Sequence, residues 1–128
     1  MVDQNRPLSP HLQIYRWPLS MVISILHRVT GVVLALGAVM LVVVLVSVAT
    51  GPEAFETVRN VASGTLGQLF LVMWTAALFL HSFNGLRHLV FDAGYGFGLE
   101  ANRYSGIIVL LATLFFTVAV WIVAWFIS

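Results

Sequence analysis

Cysteine is absent from this 128-residue chain. That excludes disulfides, thiolate chemistry, cysteine-held iron–sulfur clusters and covalent haem attachment through C-x-x-C-H. Any redox cofactor must be held by histidine or methionine, or bound without a covalent link. Lysine is absent too, so the basic residues are Arg6, Arg16, Arg28, Arg59, Arg87 and Arg103. Only 9% of residues are charged and the net charge of +1 is too small to argue for nucleic acid. There is no nucleophile–base arrangement, phosphate loop, metal-cluster motif, internal repeat or low-complexity tract.

What remains is apolar. Hydrophobic residues make up 60% of the chain and the mean hydropathy is +0.99. Too little polar material is left to coat a soluble domain, so lipid is the expected solvent. Three stretches, 29–52, 60–86 and 104–128, carry no charged side chain apart from histidine. Each exceeds the roughly 20 residues that a helix needs to cross the hydrocarbon. Three spans cannot close a barrel, so the spans are helical. The sequence predicts an all-α membrane protein with transmembrane helices at 20–49, 65–91 and 104–127. Residues 1–19 form a short polar N-terminal segment, and 1–128 is one membrane-anchor domain.

Arginine placement sets the expected orientation. Arg6, Arg16 and Arg28 precede or open the first span, and Arg87 and Arg103 flank the second connection. With three spans these lie on one side, which is then cytoplasmic, or the matrix side in a mitochondrion. Tyr15, Trp17, Tyr95 and Tyr104 would form the aromatic belt on that side, and Trp121 and Trp125 the opposite one. The N-terminus resembles neither a cleaved signal nor an Arg- and Ser-rich transit peptide. That favours a bacterial plasma membrane over the mitochondrial inner membrane. The strip Arg6-Pro7-Leu8-Ser9-Pro10-His11 cannot start as a regular helix. It is either a tail or a docking strip for a soluble partner.

Ionisable groups at membrane depth are costly and point to function. On the first helix, Ser24, His27, Arg28 and Gly31 fall at i, i+3, i+4 and i+7, on one face. Arg28 there wants an anion or polar ligand, unless it snorkels to the interface. On the second, His81 is too deep and too short to snorkel. His88 is seven residues on, on the same face but roughly 10 Å away along the axis. Two axial ligands of one haem must face each other about 4 Å apart across the iron. His81 and His88 therefore cannot both bind the same iron. Gly85 and Ala77, one turn to either side of His81, would leave a flat recess of the kind a porphyrin needs. A histidine hydrogen-bonded between helices, with glycine used for packing, is the competing reading. Asp92 shares the His81 face and either pairs with Arg28, Arg87 or His88 or ends the helix in water.

Taken in order, three motifs resemble the cytochrome b subunit of succinate dehydrogenase. They are Arg6-Pro7-Leu8-Ser9-Pro10-His11-Leu12, Ser24-x-x-His27-Arg28-x-Thr30-Gly31, and His81-x-x-x-Gly85-x-Arg87-His88-x-x-x-Asp92-x-Gly94-Tyr95. The resemblance covers nearly the whole chain. It implies that the chain is half of a haem-binding helical bundle, completed by a second hydrophobic anchor subunit. His81 would be this subunit's axial ligand to a shared haem b, with His27, Arg28 and His88 around the cofactor. Ser24 and Arg28 would line a ubiquinone pocket. A flavoprotein and an iron–sulfur subunit would dock on the inner face, with succinate oxidised on the former.

The residues suit those roles. Ser24 offers a donor to a quinone carbonyl, and Arg28 would stabilise the charge that builds there on reduction. The alternatives are the anchor of a fumarate reductase, and a haem-free structural anchor. A transporter would need polar residues through the whole bilayer, and the third helix has almost none.

Overall fold

A computed structural model describes residues 16–127 of the chain, and every regular element among them is helical. The order is α1 (Leu19–Thr50), α2 (Pro52–Ser63), α3 (Thr65–Asp92) and α4 (Leu99–Ile127). Helices α1, α3 and α4 are 32, 28 and 29 residues long and apolar enough to cross a membrane. The motif Arg6 to Leu12 and Tyr15 lie outside the described residues.

The bundle is held by small and polar side chains. On α1 the buried positions include Ile23, Thr30 and Gly37, a heptad apart. Ala77, Asn84 and Arg87 are buried on α3, and Gly106, Val109, Thr113 and Thr117 on α4. Large residues such as Val39, Leu45, Leu66, Leu114 and Phe126 stay exposed. Lipid removes the hydrophobic drive between helices, so close backbone approach takes its place. A Cβ on Gly37 would fall inside the Trp74 indole, and one on Gly106 would press 2.7 Å from Ile23 Cδ1. Thr113 and Thr117 donate to the carbonyls one turn earlier, 2.8 and 2.7 Å, and so enter the seam with their polarity spent.

Antiparallel contact between α1 and α3 follows from these pairs. Gly37 meets Trp74, while Gly31, six residues earlier, meets His81, seven residues later. At the end of α3 the chain turns through Gly94 and Gly96, at φ 89° and 83°. That left-handed backbone is open to glycine and strained for other residues. The turn brings α4 back beside α3.

Two boundaries differ from the sequence reading. The first connection is itself a helix, α2, of 12 residues. Its Ala54, Val58 and Ala62 are half-buried at i, i+4 and i+8, while Glu53, Glu56, Arg59 and Asn60 face outward. A short amphipathic helix reads as a connection because its charges interrupt the apolar run. Helix α4 begins at Leu99, ahead of position 104, and so includes Glu100, Asn102 and Arg103. The uncharged run marks the lipid-buried part of a helix, which is shorter than the helix.

Candidate functional site

The deepest histidine is held by the opposite helix. His81 Nδ1 lies 3.1 Å from the backbone carbonyl of His27. A carbonyl only accepts, so Nδ1 carries the proton and donates it. In a neutral ring the lone pair is then on Nε2. Nε2 has no hydrogen-bond partner among the described residues. It is also not sealed inside, unlike His27 Nδ1, Trp74 Nε1, Asn84 Nδ2 and Trp121 Nε1. An imidazole anchored through Nδ1–H to a carbonyl with Nε2 left over is the usual posture of a metal-binding histidine.

Three imidazoles form a ladder between α1 and α3. The rings of His27 and His81 stack with centroids 4.0 Å apart and planes within 10°. His88 follows on the other side, 5.3 Å from His27 and tilted by 55°. His27 thus bridges two histidines of the neighbouring helix. With the His27 ring lying against the face of His81, it cannot stand opposite His81 across an iron. Among the described residues no group of three or more metal-binding side chains converges. A six-coordinate iron at His81 Nε2 would need its other axial ligand from elsewhere.

The two small residues expected to flank His81 part ways. Around Gly85 nothing lies within 4 Å of where a Cβ would stand, so it borders open space beside the histidine. Ala77 is buried at 8% exposure and belongs to the helix seam. The room for the imidazole itself comes from Gly31, whose Cβ would lie 3.2 Å from His81 Cε1. Gly85, one turn from His81 on α3, thus presents no side chain and no neighbour where a flat group would need room.

The remaining expected residues lie on α1 and at the end of α3. Arg28 is exposed and has no hydrogen-bond or ionic partner among the described residues. Ser24 is half-buried, and its hydroxyl likewise has none. The shared face therefore splits: His27 turns to α3 and Arg28 outward. Asp92 is exposed at the helix end. It pairs with none of its expected partners, since the ion pair among the described residues is Arg59–Glu56.

Arg87 behaves unlike a surface cation. It is 8% exposed, and its guanidinium is spent on neutral acceptors. Nε donates to Ser105 Oγ at 2.9 Å, and Nη1 to Asn84 Oδ1 at 3.2 Å. Nη2 donates to the Asn102 carbonyl at 3.2 Å and also to its side-chain oxygen. The Phe91 ring covers the guanidinium carbon at 4.6 Å. The cation clamps α3 to the first turns of α4. The sequence reading gives Arg87 as an orientation marker, a motif residue and a candidate partner of Asp92, none of which is this clamp. The missed signal was Asn84, an amide one turn away on the same helix.

The comparisons with known proteins follow the same outline. A family model described as the succinate dehydrogenase/fumarate reductase transmembrane subunit matches residues 2–120. The succinate dehydrogenase cytochrome b556 subunit of Paracoccus denitrificans is 47% identical over 103 residues, 79% of this chain and 78% of that one. The cytochrome b560 subunit of Reclinomonas americana is 38% identical over 124 residues, covering 93% and 86%. The mitochondrial cytochrome b560 subunit of Sus scrofa is 38% identical over 120 residues, covering 88% and 68%.

Proposed function

Because the chain belongs to the family of succinate dehydrogenase/fumarate reductase transmembrane subunits, we propose that it is the cytochrome b anchor of a succinate:ubiquinone oxidoreductase. His81 Nε2 would hold haem b, shared with a second hydrophobic anchor subunit. The observation that carries this is the bond from His81 Nδ1 to the His27 carbonyl, which leaves Nε2 free and unsealed. The open space at Gly85 supports it. Names of relatives from bacteria and mitochondria that include a cytochrome b point the same way.

The chemistry haem b supplies when bound is one-electron exchange. The chain's own residues do the rest. His81 holds the iron with its donor nitrogen, while His27 and His88 line the approach from the arginine-bearing end. On that side Arg28 offers its unspent charge to a propionate or to a quinone oxygen. Ser24 donates a hydrogen bond to a ubiquinone carbonyl. As electrons arrive, negative charge grows on the quinone oxygens, and Arg28 stabilises it in a site of low dielectric. Ser24 is half-buried and Arg28 exposed on this chain, so the partner anchor and the iron–sulfur subunit supply the other walls. The flavoprotein oxidises succinate away from this chain. The single anchor domain sits in a bacterial plasma membrane, or in the mitochondrial inner membrane, with its N-terminus on the cytoplasmic or matrix side.

The family also takes in fumarate reductases, so an anchor working in the reverse direction is the neighbouring reading. A purely structural anchor is the distant one. A reduced-minus-oxidised visible spectrum of the purified complex tests the main proposal. A haem b band that disappears in His81→Ala supports it, and a full band in that variant sinks it.

A further inference from the structure

The geometry points to Thr30 as a positioning residue that fixes the tautomer and rotation of the His81 imidazole, with Gly31 making room for the ring. The inference rests on His81 being the axial ligand. It concerns a residue whose side chain would touch neither iron nor quinone.

Thr30 Oγ1 lies 3.3 Å from His81 Nδ1. A hydroxyl has one proton to give. Here it faces two backbone carbonyls of its own helix, Leu26 at 2.8 Å and His27 at 3.0 Å. With the proton spent on either, the oxygen turns a lone pair to Nδ1–H. His81 Nδ1 thus sees two acceptors, the Thr30 hydroxyl and the His27 carbonyl at 3.1 Å. Thr30 is buried at 8% exposure, so water has little access to replace the hydroxyl.

The other constraints also come from α1. The His27 ring covers one face of His81. Gly31 stands against Cε1, where a Cβ would sit at 3.2 Å and push the ring off both oxygens. His81 is carried by α3, but its plane, tautomer and available nitrogen are set by the segment from His27 to Gly31. An acceptor on Nδ1–H makes Nε2 a stronger donor and favours oxidised iron. Losing part of that acceptor set raises the midpoint potential.

The test uses the intact, purified complex with its haem. Thr30→Val keeps the volume and removes the hydroxyl. We expect haem to be retained, and the midpoint potential to move up. The corresponding change in the ratio of oxidised to reduced haem at fixed potential is about two- to tenfold. The low-spin electron paramagnetic resonance g-values should shift as the ring turns, and Thr30→Ser should restore both. If Thr30→Val does not assemble, Thr30→Ala carries the comparison against Thr30→Ser. Unchanged potential and g-values in the variant lacking the hydroxyl overturn the inference. His81→Ala serves as the control: if it keeps a wild-type haem signal, the ligand assignment has failed instead.

Discussion

The two seams of α3 use polar residues in opposite ways. Against α4, Arg87, Asn84, Asn102 and Ser105 spend their hydrogen bonds chiefly on one another. Along the α1 side, in the seam and on the outward face beside it, the polar groups end with capacity in hand. Among the described residues, His81 keeps Nε2, Ser24 keeps its hydroxyl, and Arg28 keeps its charge. A buried cation whose donors are met inside the chain is holding helices together. On the proposed function, the half-buried or exposed groups left over on the α1 side meet a cofactor, a quinone or a partner subunit. Burial alone ranks them in the wrong order, since Arg87 is buried and Arg28 is exposed.

Arg87→Met attacks the spent seam and should have the largest effect. It leaves the acceptors of Asn84, Asn102 and Ser105 unmatched, at about 1–3 kcal/mol for each buried group left unsatisfied. Thermal denaturation of the detergent-solubilised complex should show this as a marked fall in Tm. An unchanged Tm would erase the distinction between the seams. Arg28→Ala attacks the unspent seam. Quinone reduction should fall about 10²- to 10³-fold, with Tm nearly unchanged. Steady-state kinetics with a soluble quinone reads the first, and the melting curve the second. If activity survives, Arg28 does not belong to the pocket.

Gly37→Leu probes packing shared by α1 and α3 away from the histidines, against the Trp74 indole. The side chain would collide with the Trp74 indole, at about 1–3 kcal/mol for overpacking. A loss of Tm with an undisturbed haem spectrum is expected, because Gly37 lies six residues beyond Gly31. Thr117→Val should do least, about 0.5 kcal/mol or below, since its hydroxyl only returns to the Thr113 carbonyl. A large effect there would mean that the hydroxyl serves a partner helix.

The three long helices were legible because a span must lack charge over about 20 residues. That condition is written along one stretch of chain. Helix α2 was not legible by that rule, because it stabilises itself by lying with its polar side outward. His81, His27 and His88 were each visible as ionisable groups out of place, and His81 and His88 as neighbours on one face. Their joining through His27 was not, since it depends on how far α1 is slid and rotated against α3. Periodicity within one helix carries no information about that offset. Thr30 stood in the family motif without a role for the same reason: an isolated threonine in an apolar helix looks like packing.

By itself the sequence determined that the chain lives in lipid, crosses it in three helices, and brings histidine and arginine where they are expensive. Those properties follow from transfer free energy, which is a sum over residues. Only the tertiary structure decided which nitrogen of His81 is left to bind and which cation is spent as glue. Those follow from directed hydrogen bonds between helices, and a bond a few tenths of an ångström out of line is no longer one.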